Sequence, residues 1–139
     1  MGRGSPPKQI FLEEAGAVTE CAKVLWTIRA KFGLDNLTCI LDYNKGQIDG
    51  HIKDVMPEEP IADKWKAFNW NVLTIDGHDF NQILDAFAEA KKVKGKPTFI
   101  IANTVKGKGV SFMEDRSEWH GATPNPAQAA QALDEIRKS

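Results

Sequence analysis

No apolar run in this sequence approaches the ~20 residues needed to cross a bilayer, and the opening residues lack the apolar stretch of a secretion signal. The chain therefore reads as cytoplasmic, without a membrane partner. Cysteine is scarce: Cys21 and Cys39 stand among apolar neighbours, which suits buried thiols in a reducing compartment rather than a disulfide framework. An excess of one charge is missing too. Lys and Arg number 18 against 19 Asp and Glu, for a net charge of −1, and a general nucleic-acid binder would be strongly basic. No Ser-His-Asp order, Cys-x-x-Cys pair or His-x-x-x-His spacing is present, so hydrolase and zinc-site readings fall away.

What is present suits one folded domain: 139 residues, 42% hydrophobic and 27% charged, the proportions of an ordinary globular protein. The opening "MGRGSPPKQ" is rich in Gly, Pro and Ser, so residues 1–12 are expected to be a disordered lead or an appended remnant, with 13–139 a single domain. From Glu13, Val18, Cys21, Leu25, Ile28 and Phe32 recur at helical steps, with Gly33 as C-cap. "LTCIL", 37–41, is apolar on both faces and reads as a buried parallel strand. A short helix over Ile61–Phe68 turns Ile61, Trp65 and Phe68 to the core, and "WNVLTI", 70–75, is a second strand. Asp79 and Gln82 have capping-box spacing. The helix they open is expected to carry Ile83, Leu84, Phe87 and Ala90 inward. "TFIIANT", 98–104, is a third strand, and "VSFM" a short extended piece. A last helix runs from Pro126 to Arg137 behind Asn125 as cap. The alternation α-β-α-β-α-β-α predicts the α/β class: a small parallel sheet in a three-layer α/β/α arrangement. Three strands leave a bare edge or call for another chain.

Open parallel sheets bind ligands beyond the carboxyl ends of their strands, where the polar loops Asp42–Gly50, Asp76–Asp79 and Asn103–Gly109 fall. Asn44 has two readings there: a hard oxygen donor for Mg²⁺ or Ca²⁺, or the start of an Asx-turn. Lys106 and Lys108 in "KGKG" either approach phosphate oxygens beside exposed backbone donors or sit in a solvated, mobile turn. The loop has neither Walker nor dinucleotide-fingerprint spacing. In "WHG", a glycine next to His120 allows an imidazole to approach a ligand, though a lone histidine is as readily a surface residue. His51 and His78 read as loop residues.

Together "LDNLTCILDYNKGQIDG", "WKAFNWNVLTIDGHDFNQILDAFAEAKKVKGKPTFIIANTVKGKGVSFME" and "WHGATPN" resemble the N-terminal, diphosphate-binding part of transketolase, most closely the versions in which that part is a separate subunit. The resemblance implies a thiamine-diphosphate-binding-like fold, truncated at its N-terminus, and a link to transfer of a two-carbon ketol unit between sugar phosphates. It implies thiamine diphosphate held through Mg²⁺ or Ca²⁺, with Asn44 and the Gly46 carbonyl as metal ligands. His120 would be the histidine near the diphosphate and substrate. A pyrimidine-binding, C-terminal subunit would be the partner, in a dimer or larger assembly. The family's third metal ligand, the Asp of a Gly-Asp-Gly triplet, would fall at "QIF", 9–11, where there is no carboxylate; Glu13 and Glu14 are the nearest. The chain alone is expected to be inactive, and the alternative is a non-catalytic interaction domain that has lost its metal site.

Overall fold

The computed structural model describes the backbone of residues 8–12 and the whole of residues 34–138. The helix expected over Glu13–Phe32, with Cys21, lies outside the described residues. The elements are β1 (Lys8–Leu12), β2 (Leu37–Tyr43), β3 (Gly46–Gln47), β4 (Gly50–His51), α1 (Ile52–Val55), α2 (Ile61–Ala67), β5 (Asn71–Asp76), α3 (Phe80–Lys92), β6 (Thr98–Asn103), a 3₁₀ turn (Ser117–His120) and α4 (Pro126–Lys138). The chain divides into two compact units, residues 1–43 with 58–103 and residues 44–57 with 104–139, where the sequence alone suggests one domain.

The first unit holds a four-stranded parallel sheet in the order β1-β2-β6-β5. This corrects the count of three strands and, for residues 8–12, the reading as a lead; residues 1–7 lie outside the described residues. Lys8–Leu12 pairs in register with Leu37–Leu41, and "QIF" lies within that strand. Its pairing comes from β2, 29 residues further along, so the Gly, Pro and Ser just before it say nothing about it.

β2 and β6 are the buried centre, as their unbroken apolar runs require. On one face Leu37, Cys39, Leu41, Phe99 and Ile101 pack with Ile61, Trp65 and Trp70, so α2 covers this side. Side chains alternate along a strand, which turns Ile100, 1% exposed, to the opposite face. There Leu73 and Ile75 share a hollow with Ala86 of α3. Helices on both faces complete the three layers.

The cap of α3 departs from the expected box. Asp79 Oδ1 accepts from the backbone N–H of Asn81 at 2.9 Å and of Gln82 at 3.3 Å. Gln82, however, reaches past Asp79 to accept from the Asp76 N–H at 3.0 Å, while its amide donates to Asp79 Oδ2 at 2.9 Å. These bonds hold the Asp79 carboxyl below its ordinary value, the Gln82 side chain contributing most. The reciprocal box occurs instead at α4, where Gln128 N–H donates to Asn125 Oδ1 and Asn125 N–H to Gln128 Oε1, each at 2.9 Å. On α3 the small Ala86 and Ala90 are buried, Ile83 and Phe87 are half-buried, and Leu84 is 66% exposed. Leu84 therefore does not point inward: with alanines at the contact, the helix lies close to β5 along a narrow stripe and Leu84 falls outside it. "VSFM" also differs, forming turns rather than an extended piece.

One buried group in this unit is out of balance. Glu58 is 8% exposed and its Oε1 has no hydrogen-bond partner among the described residues. Burial pushes its carboxyl up from the ordinary value; the charge of Lys64 opposes this and that of Glu59 adds to it. Nearby, Tyr43 O–H donates to Glu59 Oε1 at 2.7 Å. Burial, then that bond and the two glutamate charges, push the phenol up to about 12. A carboxyl raised in the folded state binds its proton more tightly there than when unfolded. Its contribution to stability is whole below the ordinary carboxylate range and is lost as pH rises through the folded value. Glu58→Gln, which removes the charge, is therefore expected to melt higher than the parent at pH 7, the gap closing toward acid pH. Melting curves across that range test this, and an equal gap at every pH contradicts it.

Candidate functional site

The second unit begins at Asn44, the residue after β2, and takes up the chain again at Thr104, the residue after β6. Asn44 starts a tight turn. Its Oδ1 accepts from the Gly46 N–H at 2.9 Å, with Lys45 between them in the left-handed region at φ 61°. This is the Asx-turn geometry. Lys45 O then accepts from Ile52 N–H at 2.9 Å, and Gly46–Gln47 pairs antiparallel with Gly50–His51. A two-strand hairpin thus stands where the sequence shows only a polar loop. His51 caps α1, its Nδ1 accepting from Lys53 N–H at 3.2 Å.

The "KGKG" loop folds onto itself. Gly107 has φ 72°, and a Cβ there would lie 2.7 Å from Met113 O, so only glycine fits. Lys108 N–H donates to Val105 O at 3.2 Å, Val110 N–H to Gly107 O at 3.1 Å, and Gly109 N–H to Glu114 Oε1 at 2.9 Å. These backbone donors are committed within the loop, so the expectation of exposed donors for a phosphate gives way to a self-contained turn. Lys108 sits 3.7 Å from Glu114.

Lys106 is placed differently. With Asn44, Gly46, His51, Asp115 and Ser117 it lines a cleft of about 60 Å³. Since a water needs about 10–15 Å³ of such space, the cleft takes a few waters or one small polar group. Lys106 Nζ lies 2.8 Å from His120 Nδ1, a contact across fourteen residues. Trp119 anchors the turn bearing His120, its Nε1–H donating to Phe112 O at 2.8 Å and its ring meeting Phe112 edge-on at 5.2 Å between centroids.

Of the five residues singled out from sequence, Asn44, Gly46 and Lys106 line one cleft, His120 joins through Lys106, and Lys108 is elsewhere. Sequence reasoning misses Asp115 and Ser117. Nothing in their local sequence marks them, although Asp115 takes up the left-handed region at φ 56°, which is uncommon outside glycine. The donors fit a hard cation beside an anion. Asn44 Oδ1 has a second lone pair beyond the one Gly46 N–H uses. Amide and carbonyl oxygens suit Mg²⁺ and Ca²⁺, and the Lys106 ammonium suits phosphate. Among the described residues no group of three or more His, Cys, Asp or Glu is arranged to hold a metal.

A parallel sheet between helices defines an α/β protein, and a small cleft lined by Asn44, Gly46 and Lys106 among others is built from the segments that follow two of its strands. Residues 13–136 match the family described as transketolase, thiamine diphosphate binding domain, and the chain belongs to that family. It is 44% identical over 105 residues to a 6-deoxy-6-sulfo-D-fructose transketolase subunit, SqwG, of Clostridium sp. (strain MSTE9), the match covering 76% of this chain and 38% of the relative. With an apulose-4-phosphate transketolase subunit of Actinobacillus succinogenes it shares 41% over 108 residues, 78% of this chain and 39% of the relative. The chain thus spans about two fifths of the length of these relatives. The crystal structure of transketolase from Campylobacter jejuni superimposes with a TM-score of 0.84 at 26% identity, over 96% of this chain and 21% of that one. No helix among the described residues is long and apolar enough to cross a membrane.

Proposed function

We propose that this chain, as a diphosphate-binding-type domain that includes the strand Lys8–Leu12, is the N-terminal part of a split transketolase-type enzyme working in the cytoplasm. Asn44 and the Gly46 carbonyl would hold Mg²⁺ or Ca²⁺, Lys106 would face the diphosphate, and His120 would stand at the diphosphate and substrate; Lys108, turned to Glu114, takes no part. Bound thiamine diphosphate supplies the reactive carbon for two-carbon ketol transfer between sugar phosphates. The chain's own residues bind and orient the diphosphate end. A pyrimidine-binding subunit would complete the site in a homo-oligomeric assembly, and the chain by itself would not catalyse transfer. The observation that carries this reading is one cleft holding Asn44, Gly46 and Lys106 in a member of a thiamine-diphosphate-binding family.

One observation favours a second reading, a non-catalytic interaction domain: Asn44 Oδ1 already serves a turn. Calorimetry with thiamine diphosphate and Mg²⁺, with and without a pyrimidine-binding subunit from a split transketolase, separates the two. Binding that falls at least about tenfold in Asn44→Ala, equivalent to losing one contact to a charged group at about 1.5–3 kcal/mol, supports the enzyme reading. Binding seen only with the partner supports a split assembly. No binding in either setting leaves the interaction domain.

A further inference from the structure

We propose that Lys106 is a positioning residue that sets the tautomer of His120, fixing the ring proton on Nε2. Lys106 Nζ and His120 Nδ1 are 2.8 Å apart. An ammonium carries three donors and no acceptor, so a hydrogen bond of this length requires a bare Nδ1 that accepts. In a neutral imidazole the proton then resides on Nε2, since the bond made by one ring nitrogen decides the state of the other.

Both partners are placed by bonds that do not involve the pair. Asp115 N–H donates to Lys106 O at 3.0 Å, and the Trp119 anchor to Phe112 holds the turn carrying His120. The contact therefore joins two loop segments whose backbones are anchored independently of it. His120 is exposed, which leaves Nε2–H available to a ligand. The pair then offers an N–H donor beside a cation, a combination that suits a phosphate oxygen. That use rests on the thiamine diphosphate reading, whereas the tautomer does not. Neither residue type nor spacing announces such a pairing, because fourteen residues of folded loop separate the partners.

The test is nitrogen-15 NMR of the histidine side chains in the full, ligand-free chain at a pH where His120 is neutral. The parent is expected to show His120 as a single Nε2–H tautomer. Lys106→Met, which keeps the stem and removes the donors, is expected to lose that single state and give a mixture. Lys106→Arg, which restores donors, is expected to return it. The Trp119 indole N–H resonance reports whether the turn remains in place. An Nδ1–H ring in the parent overturns the proposal, as does a single Nε2–H state that persists in Lys106→Met. Should the turn be lost in Lys106→Met, the parent and Lys106→Arg decide: an Nε2–H ring in both supports the proposal, and any other pattern overturns it. Because no cofactor is added, failure here is distinct from failure to bind thiamine diphosphate.

Discussion

Trp65→Ala is expected to cost about 3–5 kcal/mol, the range for deleting a large buried aromatic, and to leave little of the usual reserve of about 5–15 kcal/mol. The indole is 2% exposed. It stacks on Phe99 with centroids 3.8 Å apart and planes 13° from parallel, and meets Trp70 edge-on at 4.8 Å. Phe99, on the central strand β6, is itself fully buried, so no movement of the surface can refill the space. The loss combines transferred apolar area, a residual cavity and two aromatic contacts worth about 0.5–1.5 kcal/mol each. Trp65→Phe keeps a ring against Phe99 and should retain part of the stability. Denaturant unfolding of the three proteins measures this. A loss below about 1 kcal/mol in Trp65→Ala, well under the range for such a deletion, would show that α2 is not packed on β6 through this residue.

Gly107→Ala is expected to be nearly as damaging, but by a different route. At φ 72° an L-residue costs about 1–2 kcal/mol from backbone sterics alone. The new methyl would then meet Met113 O at 2.7 Å and Met113 C at 2.8 Å, and backbone cannot swing aside as a side-chain tip can. Crowding of this kind adds about 1–3 kcal/mol, for a total of roughly 2–5 kcal/mol. The strain falls in the loop that positions Lys106, so the Lys106–His120 contact should loosen together with stability. Gly95→Ala is the matched control: φ is 74°, yet no atom lies within 4 Å of the added Cβ. It should pay only the backbone cost. Equal losses in the two variants would rule out the clash with Met113.

What is legible in the sequence and what is not divides along the range of the interactions involved. Leu37–Leu41 and Thr98–Asn103 are continuous apolar runs, and burial on both faces leaves such runs little choice but a central parallel strand. Pro126 behind Asn125 marks the start of α4 because a cap is settled within four residues. β1 escapes notice since its partner is β2 and its neighbours in sequence are Gly, Pro and Ser. Periodicity points Leu84 inward, but the contact of α3 is made by Ala86 and Ala90, and the width of that contact depends on how closely the helix approaches the sheet. Spacing gives Gln82 to Asp79, yet its carbonyl goes to Asp76 because the turn before the helix brings that N–H within reach.

The site divides in the same way. Asn44 and Gly46 are two residues apart, and an Asx-turn closes over that distance, so their association is legible in the sequence, as are the two glycines that "KGKG" needs. By itself, then, the sequence determined the α/β class, the central strands, the helix caps and the types of donor available, because each depends on neighbours along the chain or on hydrophobic burial. Only the tertiary structure decided that Lys106 enters the cleft while Lys108 turns to Glu114, that Asp115 and Ser117 join it, and that Lys106 meets His120. Those are contacts between segments distant in the chain, and their geometry is created by folding.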